Sequence, residues 1–149
     1  VTFIMDKEHL STTEMNNIMN KKSGVAGISG ISSDFRDLED GYHKGNDKAM
    51  LAIDIFVQKV KKYIGAYYAE LGHIDGIVFA GGIGENSGFI REAVLSGLDD
   101  FGIKLNAENN SVRGKEIFIS AEDSKVRVLV IPTNEELMIA RDTKSLVEK

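Results

Sequence analysis

The residues best suited to chemistry lie in Asp75-Gly76-Ile77-Val78-Phe79-Ala80-Gly81-Gly82-Ile83-Gly84-Glu85-Asn86, where an apolar strand runs straight into a glycine-rich turn that opens a helix. Such a junction presents unpaired backbone N–H groups and the positive end of a helix dipole, and glycine lets the main chain approach an anion without a Cβ in the way. The chemistry implied is the holding of a phosphate or a nucleotide. Two familiar phosphate loops are excluded by the residues themselves. No Lys-Ser or Lys-Thr follows the glycines, so this is not a Walker A loop. A dinucleotide fingerprint would need a third glycine where Ser87 stands, and no following strand ends in an acid that would hold a ribose. A purely structural turn, with Asn86 capping the next helix, accounts for the same residues equally well.

A second group, Thr133-Asn134-Glu135-Glu136, follows the β-branched run Val126-Arg127-Val128-Leu129-Val130-Ile131-Pro132 and places two carboxylates at the start of a helix. Thr133 with Glu136 reads as a capping box, and acids in that first turn offset the helix dipole for about 1 kcal/mol. That leaves Glu135 without a structural task at the carboxyl end of a strand, where α/β sheets bind ligands, and makes it the candidate for a metal-linked carboxylate. A third group lies around Asp34, where hydroxyls give way to a short charged helix; there Ser33 reads as the N-cap and Asp34 as a first-turn acid. His9, His43 and His73 lie far apart without ligand spacing and read as surface or helix-end residues.

The elements that must position these groups are legible from punctuation and period. Ser11 and Glu14 predict a capping box, Leu10 and Met15 a hydrophobic staple, and Lys21, Lys22 and Gly24 the far end of that helix. A long helix runs from a cap at Asn46 or Asp47 to Leu71, stopped by Gly72, a length of ~37 Å at 1.5 Å per residue. Its residues Met50, Ile53, Val57, Val60, Ile64, Tyr67 and Leu71, alternately three and four apart, predict one continuously buried face. A helix–helix contact in a dimer and a single buried helix explain that stripe equally. Further helices are expected from Ser87 to Leu98 and from Asn134 to Val147, with a polar exposed loop around Ala107 to Arg113 between them. Strands are expected near Ile74 to Ala80, Glu116 to Ile119 and Val126 to Ile131, which makes the chain α/β. Three strands are few for such a sheet, so an exposed edge or an interface to fill is expected.

Composition sets the outer limits. The chain has 149 residues, 42% hydrophobic and 28% charged, enough for a real core. A net charge of -5 argues against nucleic-acid binding, which needs a basic face. Cysteine is absent, which excludes disulfides, a thiolate nucleophile and a cysteine zinc site and leans towards a reducing compartment. No signal peptide or membrane-spanning run is present in the sequence. The chain opens Val1-Thr2-Phe3-Ile4-Met5, with no initiator methionine and an apolar segment under way, and is expected to be a piece of something longer.

Taken in order and at their separations, Ser23-Gly24 through Asp37, Phe79 through Ser87, and Val130-Ile131-Pro132-Thr133-Asn134-Glu135-Glu136-Leu137 resemble the C-terminal part of the acetate kinase family. The resemblance covers essentially the whole chain. It implies the ribonuclease H-like fold of the acetate and sugar kinase, Hsp70 and actin superfamily, with residues 1–149 as a C-terminal nucleotide-binding fragment of a larger two-domain kinase. It further implies phosphoryl transfer from ATP to acetate to give acetyl phosphate and ADP, Mg2+ as the metal with Mn2+ able to replace it, a homodimer, a cytoplasmic location, and no nucleic-acid or membrane partner. Carried over by position, Asp34, Phe35 and Arg36 match the segment at the adenosine. Gly82, Ile83, Gly84, Glu85 and Asn86 match the second nucleotide segment, and Glu135 matches the magnesium-linked glutamate. Nothing here matches the acyl side of the site, so the chain alone is expected to be inactive, and propionate or butyrate as the acceptor stays open. Two readings outside the family remain: a Rossmann-type module that binds NAD indifferently to Mg2+, and a dimerisation module that ignores nucleotides.

Overall fold

The computed structural model of the chain describes residues 1–148, which divide into two compact units, Val1–Tyr63 and the residues from Ile64 onward. The first unit is helical: α1 (Thr2–Lys7), α2 (Thr12–Lys21), α3 (Gly24–Ser29), α4 (Phe35–His43) and the greater part of α5 (Asp47–Leu71). The Ser11 hydroxyl accepts from the Glu14 N–H while the Glu14 carboxylate accepts from the Ser11 N–H, so the expected capping box of α2 is present. Asn46 caps α5, its Oδ1 accepting from the N–H groups of Lys48 and Ala49. Leu38 of α4 is fully buried, as are Ala49, Ala52 and Ile53 on α5. A Cβ added at Gly41 would stand 3.0 Å from that of Ala49, so α4 and α5 approach through their smallest residues.

The stripe of α5 is not buried along its whole length: Tyr67 is 63% exposed and Leu71 64%. A strict seven-residue repeat drifts by about 20° per heptad around a straight helix, so the residue in line with Met50 about five turns later is Tyr68 and not Tyr67. Tyr68 is stacked on Phe101 with ring centroids 4.6 Å apart in the second unit.

That second unit holds β1 (Gly76–Phe79), α6 (Gly81–Asn86), α7 (Gly88–Leu95), a 3-10 turn at Asp99–Phe101, α8 (Ala107–Asn110), β2 (Ile117–Phe118), β3 (Arg127–Val130) and α9 (Glu135–Val147). The sheet order is β1-β3-β2, with β3 parallel to β1 and antiparallel to β2. The central strand buries Val128 and Val130, and these form the core with Val126 just before the strand and with Leu95, Ile103 and Ile119. Both edges carry an exposed apolar residue, Val78 on β1 and Phe118 on β2. Because β1 and β3 run parallel, their carboxyl ends adjoin, and the Ile131 N–H donates to the Phe79 carbonyl as the strands part. This pairing sets the glycine turn beside the segment leading into α9.

Expected boundaries moved: each strand is one or two residues shorter at either end than expected. Helix α7 stops at Leu95, short of Leu98, because Gly97 takes a left-handed φ of 75°. The segment from Ala107 is not simply an exposed loop, since it forms α8 and buries Asn110. Among the described residues no helix is long and apolar enough to cross a membrane.

Candidate functional site

The glycines of the turn serve different ends. Gly81 has a φ of 70°, a conformation that side chains strain, and it swings the chain from β1 into α6. A Cβ at Gly84 would lie 3.3 Å from the Phe79 carbonyl carbon, so glycine there lets α6 pack on the strand end. Gly82 is different: its φ is not left-handed, and a Cβ there would meet nothing within 4 Å. Ala80 gives α6 no capping side chain, and the first N–H of that helix, that of Gly81, is taken instead by the Glu85 carboxylate from within the same helix. Asn86 does not cap the next helix as expected; its Nδ2 donates back to the Gly82 carbonyl at 2.9 Å. The cap of α7 is Ser87, whose Oγ accepts from the Ile90 N–H, because the chain turns extended at that residue between the two helices.

Glu85 joins this turn to the segment after β3. Its Oε1 accepts from the Gly81 N–H at 2.8 Å, the Thr133 N–H at 2.8 Å and the Thr133 hydroxyl at 2.9 Å. The carboxyl is thereby held below its usual range, first by the Thr133 N–H, then by the Thr133 hydroxyl, with the Gly81 N–H adding to both. The expected capping box of Thr133 with Glu136 is absent. Thr133 is drawn to a partner 48 residues away, and Asn134 caps α9 instead, accepting from the Leu137 N–H at 3.0 Å. Glu135 and Glu136 are both exposed in the first turn of α9, so capping does not distinguish them.

Sequence reasoning missed Arg91, the largest fully buried side chain, at 0% exposure. Its Nη1 donates to the Gly84 carbonyl at 2.8 Å, its Nε to Asn110 Oδ1 at 2.8 Å, and its Nη2 to the carbonyls of Asn110 and Val112 at 2.7 and 2.9 Å. All these acceptors are neutral, and burial lowers the pKa of the guanidinium, with the charge of Arg113 acting in the same direction. Asn110 in turn donates to the Gly88 carbonyl at 2.8 Å. The one trace in the sequence is a cation next to Ile90 on the side of the helix that also carries Val94 and Leu95, which are buried with it.

In the first unit, Asp34 and not Ser33 caps α4, accepting from the Arg36 N–H at 2.9 Å. The preceding Ser32 hydroxyl accepts from the Asp34 N–H, and this local turn moves the cap one residue on. Both Asp34 oxygens also accept from the Arg36 guanidinium, yet that side chain remains 90% exposed. The Asp34 carboxyl is lowered to about 2, mainly by the Arg36 guanidinium hydrogen bond and then by the Arg36 N–H. Phe35 sits edge-on to Phe56 of α5 with centroids 4.6 Å apart. The structure thus joins Gly81–Asn86 to the start of α9 within the second unit, while Asp34, Phe35 and Arg36 belong to the first.

Among the described residues no three His, Asp or Glu side chains cluster closely enough to hold a metal ion. Mg2+ is commonly bound by one or two carboxylates together with substrate phosphates. Glu135 and the adjacent Glu136 are the exposed carboxylates in the first turn of α9. A hollow of about 590 Å³ lined by Phe89, Ala93, Ile103 and Leu105 contains none of these residues.

A sequence profile described as the Acetokinase family matches residues 1–141. The chain is 60% identical over 148 residues to an acetate kinase of Finegoldia magna, covering 99% of this chain and 37% of that protein. The figures for an acetate kinase of Methanosarcina thermophila are 60%, 99% and 36%. Among solved structures, acetate kinase of Porphyromonas gingivalis superposes with a TM-score of 0.88 at 46% identity, over 98% of this chain and 37% of that one. A propionate kinase of Francisella tularensis gives a TM-score of 0.82 at 40% identity, over 93% and 35%. The chain thus spans little more than a third of the length of the proteins it matches.

Proposed function

The chain belongs to the acetokinase family, and we propose that residues 1–149 are the C-terminal, nucleotide-side part of a two-domain kinase that transfers the terminal phosphoryl of ATP to acetate, giving acetyl phosphate and ADP. Its mixed α/β fold is that of solved acetate kinases. The observation that carries the nucleotide reading is Gly82: the fold accounts for Gly81 and Gly84, but nothing inside the protein calls for glycine at 82. An open, side-chain-free backbone at the mouth of a parallel pair is what a phosphate requires. In this reading Gly82, Ile83, Gly84 and Asn86 line the nucleotide, with Glu85 in the same segment. Asp34 holds the Arg36 guanidinium by both its oxygens, Phe35 anchors the start of α4, and the exposed guanidinium plane stacks on the adenine.

Glu135 holds Mg2+, or Mn2+ in its place, through the ion's water shell. The ion neutralises charge on the transferring phosphoryl, and the chain's own residues supply positioning. Acetate is preferred over propionate as the acceptor because the relatives at 60% identity are named acetate kinases. We place the protein in the cytoplasm, where ATP is available and the lack of cysteine is unremarkable. It works there as a homodimer, without nucleic-acid or membrane partners.

Titrating the chain with Mg-ATP, Mg-ADP and NAD while following amide chemical shifts tests the proposal. Shifts at Asp34 to Arg36, Gly82 to Asn86 and Glu135 with the magnesium nucleotides are expected, with affinity near the millimolar range, about -4 kcal/mol. A response to NAD alone would instead favour a dinucleotide module, and silence to all three a docking module. Gly82→Ala should weaken the nucleotide response and leave thermal stability essentially unchanged, because the added methyl has room within the protein.

A further inference from the structure

A carboxylate beside a polyphosphate is repelled, so Glu85 in the middle of a phosphate-facing segment needs another explanation. Its hydrogen bonds supply one. A single oxygen takes the Gly81 N–H, which belongs to the turn after β1, and both donors of Thr133, which belongs to the segment after β3. The Ile131 N–H on the Phe79 carbonyl marks where the two strands part, and Glu85 spans the gap beyond it. Thr133 stands two residues before Glu135 on a segment that turns at once into α9. The hydroxyl and the amide of Thr133 are fixed together by one acceptor, which sets the rotation of the segment as well as its distance from the turn.

We infer that Glu85 is a positioning residue: its carboxylate joins the two turns, and so sets Glu135 relative to the glycine backbone, without itself touching the nucleotide or the metal. The inference rests on the kinase reading above. It separates the geometry of Glu85 from its charge. A glutamine at 85 retains a carbonyl oxygen able to accept the same three donors, whereas an alanine retains nothing. A ligand of Mg2+ would behave in the opposite way, since the amide would be nearly as damaging as the methyl.

The experiment uses the full-length protein that carries this chain, with Glu85→Gln, Glu85→Ala, Thr133→Ser and Thr133→Val. It reads kcat, nucleotide KM, the Mg2+ concentration for half-maximal rate, and hydrogen exchange at the Gly81 and Thr133 amides. Misplacing a reacting group by about 1 Å costs on the order of a hundredfold. Glu85→Ala should therefore lose roughly tenfold to a hundredfold in kcat, raise the Mg2+ requirement and speed exchange at both amides. Thr133→Val should move the same quantities by less and carries the test if Glu85→Ala does not fold. Glu85→Gln and Thr133→Ser should restore most of the rate and the exchange protection.

Three results would overturn the inference. Glu85→Gln as impaired as Glu85→Ala would mean that the charge itself is used. Faster exchange in Glu85→Ala with an unchanged Mg2+ requirement would make the link structural alone. Loss of protection at Gly81 and Thr133 on adding Mg-ADP to the unmutated protein would make the carboxylate a stand-in that phosphate displaces. If the unmutated protein shows no acetate-dependent turnover although both amides are protected, the kinase reading falls and the role at Glu135 falls with it. In the other three outcomes that turnover is intact.

Discussion

Asp34 carries two jobs on one carboxylate, capping α4 and holding the Arg36 guanidinium, and both favour its charged form. Its pKa of about 2 in the folded chain lies below the ordinary 3.8. Folding therefore gains from the ionised group, the gain is complete above the ordinary value, and it is lost as pH falls through the folded one. The difference in melting temperature between the chain and Asp34→Asn should accordingly be constant near neutrality and shrink between about pH 4 and pH 2. A difference that stays level across that window would show that the ion pair contributes nothing. Arg91 belongs to a harsher regime. Removing its guanidinium leaves the buried carbonyls of Gly84, Asn110 and Val112 without their donor, and each such loss costs about 1–3 kcal/mol. Arg91→Met should destabilise the chain by more than about 3 kcal/mol in urea unfolding, and Arg91→Lys should recover less than half of that, since an ammonium lacks the planar fork.

At the scale of elements, α9 offers a clean comparison. Asn134→Ala removes the side chain that accepts from the Leu137 N–H and should cost about 1 kcal/mol, while Glu136→Ala, which breaks no cap, should cost a few tenths. Equal losses in thermal melts would restore a capping role to Glu136. The contrast also explains what could be seen beforehand. The capping box at Ser11 was legible because both its partners lie within one turn. The same rule failed at Thr133 because Glu85 competes for its donors from 48 residues away, and no local pattern records that competitor. Strands β1 and β3 were legible from β-branched runs, and the glycine segment from composition. The Arg91 network was hidden, because Asn110 reads as a polar loop residue until α7 is laid against it. In α5 the period was right and its phase drifted, which is why Tyr68 took the place expected of Tyr67.

At the scale of the whole molecule, the second unit ends in a helix that buries none of its residues, with Ile139, Leu146 and Val147 between 66% and 78% exposed. A helix of 13 residues is marginal in water without packing. In the chain by itself the amides from 138 to 147 should exchange orders of magnitude faster than those of β3 and α7 in hydrogen-exchange mass spectrometry. Slow exchange there would mean that α9 is stable on its own. The buried Arg91 network has a consequence in time. The backbone of the glycine turn is complete once Asn86 is made, but the carbonyls that seat Arg91 come 19 and 21 residues after that arginine, and Thr133 comes 48 residues after Glu85. At 5–20 residues per second, roughly 2 to 10 s of synthesis separate the turn from its last fastening. During that interval the glycine-rich turn lacks the partners that Arg91 and Glu85 hold in the folded chain. The hydrogen bonds from Thr133 that fasten Glu85 can form only after residue 133 has been made, so the glycine turn is fastened late however early its own backbone is complete.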